Sequence, residues 1–157
     1  MSIRIRPACE AELDLIKAIT VESFGGVSVD HGIEQQLGVL AGHDWKWRKA
    51  RHIDADWAAN PAGVFVAELD GSVAGYITAV VDSAAGRGRI PNLAVTASAR
   101  GRGLGRALIE HALAYFRAKG LEFAVIETMA SNPVGQSLYP SSGFVEVGRQ
   151  IHYACRL

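Results

Sequence analysis

Apolar and polar residues change period along this chain, and the changes mark its elements. Ile3 and Ile5 alternate with Arg4 and Arg6, the period-2 signature of a half-buried strand that Pro7 stops. Leu13, Ile16, Ile19 and Thr20 then recur at helical spacing behind Glu10 and Glu12, whose charges suit a helix start. Gly25 and Gly26 end that helix. From there to about Asn60 the pattern predicts interrupted helix carrying all three tryptophans. Trp47, Ala50, Ile53 or Asp54, and Trp57 fall on roughly one face and form the expected stripe, with Trp45 off it as a candidate pocket residue. Asn60 and Pro61 terminate this stretch.

Period 2 then returns. Val64 to Leu69 reads as a strand, Asp70-Gly71 as a hairpin turn, and Val73 to Val81 as the returning strand. A loop, SAAGRG, leads to a strand over Arg89 to Val95. One long helix follows from about Gly103 to Lys119, with Leu104, Ala107, Leu108, Ala112, Tyr115 and Phe116 on a stripe and Gly120 as its stop. Phe123 to Thr128 predicts a strand and Pro133 to about Tyr139 a short helix, which Pro140 is expected to cut short. Phe144 to Leu157 predicts two closing strands. Without repeat or linker, the layout is a single α+β domain over 1–157, helices packed on a mostly antiparallel sheet.

Composition narrows the function classes. A length of 157 residues suits one domain, and 49% hydrophobic with 20% charged residues excludes a disordered chain. No apolar run approaches the roughly 18 residues of a membrane span. Sixteen basic and sixteen acidic residues cancel, so no global charge draws the chain to nucleic acid or an anionic membrane. The run Trp45-Lys46-Trp47-Arg48-Lys49-Ala50-Arg51 is basic and aromatic, but helical spacing predicts its charges on a solvated face. Cys9 and Cys155 are too few for a disulfide framework and too far apart for a paired metal motif; both are expected as small buried residues of terminal strands. The start lacks the apolar stretch of a signal peptide, so a cytoplasmic protein is the expectation.

Any anion site must therefore be local, and one segment concentrates what it needs. Arg100 to Leu108 reads RGRGLGRAL between a strand and the long helix. Glycines 101, 103 and 105 let successive N–H groups converge, the helix start adds roughly half a positive charge, and Arg100, Arg102 and Arg106 add cations. The spacing is not that of a dinucleotide fingerprint, which needs glycine at 106 or 108, nor of a Walker A loop, which needs a following lysine. On these residues alone a phosphate cradle competes with an exposed basic helix start that binds nothing.

Arg100-x-x-Gly103-x-Gly105 resembles the acetyl-CoA signature Q/R-x-x-G-x-G/A of the GNAT N-acetyltransferase superfamily, and Ile90-Pro91-Asn92-Leu93-Ala94-Val95 is similar to that family's central strand. Downstream, Asn132, Gly135, Leu138, Tyr139, Gly143 and Phe144 match N-x-x-A-x-x-L-Y-x-x-x-G-F at every interval, with glycine for the usual alanine. The resemblance implies a mixed, mostly antiparallel sheet splayed at an acyl-CoA site. It implies pantetheine pairing at the backbone of Leu93, Ala94 and Val95. Pyrophosphate would be held by Arg100, Gly101, Arg102, Gly103, Leu104, Gly105 and Arg106, and the cofactor arm contacted by Asn132. Tyr139 would protonate the departing thiolate, and no metal is implied.

The base has a candidate in Glu127, where the resembling enzymes that acetylate protein N-terminal amines carry a glutamate. Alternation places it with Phe123 and Val125, so its carboxylate is expected beside an apolar pocket that raises its pKa, or else bonded to neighbouring backbone. His111 is expected to pack at the edge of its helix stripe, while His31, His43 and His52 lie in the segment that usually forms the acceptor side. The resemblance implies an N-acetyltransferase that moves acetyl from acetyl-CoA to a primary amine of a small molecule or peptide by direct attack in a ternary complex. A non-catalytic CoA-binding sensor module is the alternative, an interaction domain a third. A homodimer through sheet edges or C-terminal strands is a further expectation by analogy.

Overall fold

Strand β1 (Ile3–Pro7) lies antiparallel to β2 (Val64–Leu69), and β2 returns through Asp70 and Gly71 into β3 (Ser72–Thr78). Both turn residues have positive φ, 50° and 86°, as a two-residue hairpin loop with the right twist requires. Between β1 and β2 come three helices, α1 (Leu13–Ser23), α2 (Val29–Leu37) and α3 (Trp45–Ala59). Ser28 caps α2 by accepting from the His31 N–H, and Asp44 caps α3 by accepting from Trp47 N–H. The computed structural model describes all residues 1–157, and none of its helices is long and apolar enough to cross a membrane.

The two central strands predicted as continuous are each broken. Val73 to Val81 divides at Ala79 into β3 and β4 (Val80–Asp82), and Arg89 to Val95 divides at Pro91-Asn92 into β5 (Arg87–Ile90) and β6 (Leu93–Val95). The sheet accordingly forms two parts, ordered β1-β2-β3-β6 and β4-β5-β7, where β7 spans Phe123–Ile126. Only β5 and β7 run parallel. The breaks have local causes. Pro91 has no N–H for a ladder, and the Ala79 N–H is diverted to the Gly63 carbonyl at 2.9 Å. Position 63 must be glycine for this approach, since a Cβ there would sit 2.2 Å from the Ala79 oxygen.

Alternation along the strands sorts the core into two layers. Helix α4 (Leu104–Ala118) buries Leu104, Leu108, Ile109, Ala112 and Phe116 against Phe65, Ala67, Ile77 and Ile90. On the other face, Ile16, Ile19 and Ile53 of α1 and α3 pack on Val64, Val66, Tyr76 and Ala94. Helix α5 (Pro133–Ser141) closes the α4 side through Leu138, Tyr139 and the following Phe144.

Three expectations are corrected. The buried face of α3 is Trp45, Lys49, Ile53 and Asp56, whereas Trp47 is exposed. Residues 145–157 form no strand, and Val145, Val147, Ile151, Tyr153 and Leu157 are exposed. Period 2 fixes which side chains a strand would bury but supplies no partner, and this segment pairs with no strand. Both cysteines are exposed, Cys155 in that segment and Cys9 in the turn after Pro7.

Candidate active site

The β5–β7 ladder runs from Arg87↔Phe123 to Ile90↔Ile126 and stops, after which β6 pairs with β3 alone. A gap opens between β6 and the chain leaving β7. Which backbone groups face it follows from register. The Thr78 N–H donates to the Asn92 carbonyl (2.9 Å) and the Thr96 N–H to the Ala74 carbonyl (2.8 Å), flanking the Tyr76↔Ala94 pair. In an antiparallel ladder alternate residues turn their backbone groups to the partner. Asn92, Ala94 and Thr96 thus face β3, and Leu93 and Val95 turn their backbone groups away from it, with the Val95 carbonyl accepting from Ser23 Oγ (3.4 Å) and Arg100 Nε. Of the predicted trio, Ala94 has its backbone spent on β3 and its methyl in the α1–α3 layer.

The glycine loop borders the same gap from the α4 side. Gly101 and Gly103 have φ of +76° and +87°, left-handed values that other residues adopt only with strain. Gly103 is the N-cap of α4 and offers no side chain, so the first-turn N–H groups have no capping acceptor in the chain. The buried Leu104 side chain anchors the loop to the core. Gly105 admits α5, because a Cβ there would lie 3.2 Å from Leu138 Cδ2. The three arginines diverge more than their spacing implies. Arg100 Nε donates to the Val95 carbonyl at 3.3 Å, Arg106 is tied to Ser141 O (3.1 Å) and Oγ (2.9 Å), and Arg102 is exposed.

Helix α5 carries the second motif. Asn132 is its N-cap and donates from Nδ2 to Thr128 Oγ1 at 3.0 Å. Gly135 explains the departure from alanine, since a Cβ would meet Thr128 Oγ1 at 2.6 Å. Contrary to the expectation from Pro140, the helix continues through Tyr139 and Pro140 to Ser141. Proline removes a single helical hydrogen bond here, and the end beyond it is locked: Phe144 N–H reaches the Tyr139 carbonyl (3.1 Å) and Gly143 N–H the Pro140 carbonyl (3.1 Å), with Gly143 at φ +98°. This is a Schellman closure, completed by the Phe144 ring 6.3 Å from that of Tyr139. Burial pushes the Tyr139 phenol up to about 12.

Glu127 departs from its expected surroundings. Its carboxylate is exposed and accepts from Arg89 Nε (3.3 Å) and Nη2 (3.1 Å), instead of bordering an apolar pocket or bonding to backbone. The parallel ladder is the reason, because Arg89 on β5 stands opposite Val125, two residues before it.

On the α3 side a cleft of about 530 Å³ opens at Pro91 and Asn92. Beneath it lies a buried polar network that the sequence reading missed. Lys49 Nζ donates to Asn92 Oδ1 (2.7 Å), and Asn92 Nδ2 donates to Asp56 Oδ2 (2.7 Å). Thr78 Oγ1 donates to the same Asp56 oxygen at 2.9 Å. Lys49, expected on a solvated face, is instead buried, and desolvation lowers its pKa. The available signal was the spacing of Trp45, Lys49, Ile53 and Asp56, which puts two opposite charges on one face with an isoleucine. The network pins Asn92, and with it the break where β5 becomes β6.

The histidines separate clearly. His52 Nε2 lies 3.1 Å from Asp30 in the cleft, and this contact, with Lys49 and Arg48 nearby, holds the Asp30 carboxyl below its ordinary range. His31 stacks on Trp45 and His43 on Trp47. His111 packs edge-on against Phe65, as expected at the stripe's margin.

Residues 31–144 match the model of the Acetyltransferase (GNAT) family. A mycothiol acetyltransferase of Streptomyces avermitilis is 38% identical over 109 residues, covering 69% of this chain and 34% of that protein. The chain thus spans about a third of the length of such curated relatives. Among solved structures, PH1933 of Pyrococcus horikoshii superposes with a TM-score of 0.73 at 20% identity, over 95% of this chain and 92% of that one. The PaiA N-acetyltransferase of Thermoplasma acidophilum, in complex with coenzyme A, gives 0.71 at 20% identity, over 92% and 91%. The fold is the same.

Proposed function

The chain belongs to the GNAT acetyltransferase family, and from that premise we propose that it transfers an acetyl group from acetyl-CoA to a primary amine by direct attack in a ternary complex. One observation supports the reading: the glycine loop opens α4, which packs on one face of the sheet, while the polar cleft is walled by α3 on the other face and reaches Pro91 and Asn92, where β5 gives way to β6. Donor and acceptor can enter from opposite sides without displacing each other.

The residues fit the donor. Uncapped N–H groups at Gly103 to Arg106 suit a pyrophosphate, and the edge of β6 that β3 leaves unpaired, the Leu93 backbone and the Val95 N–H, suits an amide-bearing arm. Acetyl-CoA brings a thioester carbonyl open to attack and a sulfur leaving group. A backbone N–H on the open edge polarises that carbonyl. As the N–C bond forms and the C–S bond breaks, the amine proton passes to Glu127 and the sulfur receives a proton from Tyr139. A half-buried phenol with a pKa of about 12 keeps its proton until it is needed.

The test is a thermal shift with acetyl-CoA followed by an amine panel assayed for free CoA. At about 100 times the dissociation constant the cofactor stabilises the fold by about 2.7 kcal/mol. No shift overturns the reading. A shift without CoA release on any amine leaves a CoA-binding module and removes the enzyme.

A further inference from the structure

The cleft's charges are unevenly committed, and this bears on what the acceptor is. Arg48, Arg51, His52 and Asp56 stand at i, i+3, i+4 and i+8 on α3, so one helix face supplies most of the polar wall. Every carboxylate at the cleft or its rim is engaged. Asp30 meets His52 at 3.1 Å, Asp56 accepts from Thr78 and Asn92, and Glu127 holds Arg89 at 3.1 Å.

The cations are not all matched in this way. Arg48 donates to the carbonyls of His43 (2.9 Å) and Leu40 (2.5 Å), which fix the guanidinium, and its charge acts on Asp30 from a distance without an ion pair. Arg51 lies over the Trp47 ring, 4.6 Å from its centroid, in no ion pair. His43 stacks on the same indole at 3.5 Å, so Trp47 is held and the guanidinium over it is pre-positioned. The uncommitted charge at the cleft is positive.

We propose that the acceptor is a primary amine that also carries an anionic group, a carboxylate or a phosphate, seated on Arg51 with Arg48 behind it. The amine end then points toward Asn92 and the gap. A purely cationic amine meets two guanidinium groups and no free carboxylate, so polyamines and aminoglycosides are disfavoured. The inference rests on the acetyltransferase reading above, whose cofactor it takes as bound.

The experiment uses matched amines that differ in charge: phosphoethanolamine against ethanolamine, and β-alanine against its amide, with spermidine as the cationic extreme. In each pair kcat/KM favours the anionic member by about tenfold or more, the worth of one charge-assisted hydrogen bond. The larger ratio of the two pairs tells phosphate from carboxylate. R51Q shrinks the ratio toward one and R51K retains part of it, while the acetyl-CoA thermal shift of both variants stays that of the parent. Equal or inverted preference, or a ratio unchanged in R51Q, overturns the proposal. Were no amine acetylated, titration of phosphoethanolamine and β-alanine into the acetyl-CoA-saturated chain decides it independently: saturable binding weakened in R51Q supports it, and no binding overturns it.

Discussion

The two faces of the sheet solve the same task with different materials. On the α4 face, what would touch a ligand is backbone, freed by Gly101, Gly103 and Gly105 within a few consecutive residues. On the α3 face it is side chains, held by a network whose members are far apart in sequence: Thr78 is 22 residues from Asp56, and Asn92 is 36 from Asp56 and 43 from Lys49. The first can be specified by a short motif. The second exists only after folding, and its stability depends on charges balancing in a dry environment.

The largest effect expected from breaking this contrast comes from Asp56→Ala. It leaves Lys49 buried near one fewer carboxylate and strips the acceptor from Thr78 Oγ1 and Asn92 Nδ2. Removing one partner of a buried charge network costs about 3–5 kcal/mol, read by urea denaturation. Leu108→Ala on the opposite face costs about 2–5 kcal/mol by cavity formation. The pH dependence separates them. Burial puts the folded Lys49 pKa below its unfolded value, so the folded state binds that proton less firmly and stability rises with pH through the folded pKa toward about 10.5. Without Asp56 that pKa falls further. The Asp56→Ala deficit therefore shrinks as pH rises, while the Leu108→Ala deficit stays flat. Equal pH profiles would deny the network its electrostatic role.

The same contrast explains what was legible in the sequence. The hairpin at Asp70-Gly71 and the helix α4 with the loop before it are each written in consecutive residues, and the structure reproduces them, although Ile109, outside the predicted stripe, is buried while Ala107 and Tyr115 are only half-buried. The breaks at Ala79 and Pro91-Asn92 depend on a diverted hydrogen bond to Gly63 and on side chains from α3, which no local period encodes. Lys49 was misplaced because a lysine at helical spacing counts as solvent-facing unless its partners are known. Tyr139 and Glu127 show the limit of motif matching. A motif position nominates the tyrosine and a resembling family's glutamate nominates Glu127, but only the Schellman closure fixes the helix end that carries the tyrosine, and only β5–β7 pairing gives the glutamate an arginine.

Tyr139→Phe is expected to act next most strongly and on chemistry alone. Losing a positioned proton donor lowers kcat by about 100-fold, near 2.7 kcal/mol in barrier. The acetyl-CoA thermal shift persists, because the loop that holds the cofactor is backbone. A phenol held near 12 contributes no basic limb to the parent pH–rate profile below about pH 10. Unaltered turnover in this variant would return Tyr139 to the role of a residue of α5 that packs against the core.

The smallest change in stability comes from the residue between the two faces. Glu127 and Arg89 form a largely exposed pair, their side chains 63% and 46% accessible, so Glu127→Gln shifts stability by less than about 1 kcal/mol. Its kinetics carry more information than its stability. A glutamate that takes the amine proton is lost as a base in the glutamine variant, and kcat falls. A glutamate that only restrains Arg89 leaves kcat in place. Either way the substitution releases a third guanidinium into a cleft whose spare charge is already positive, so KM for an anionic amine falls. A lowered kcat with a lowered KM assigns both roles to Glu127. A lowered KM alone gives it only the second, and moves the base to water or to the acceptor's own surroundings.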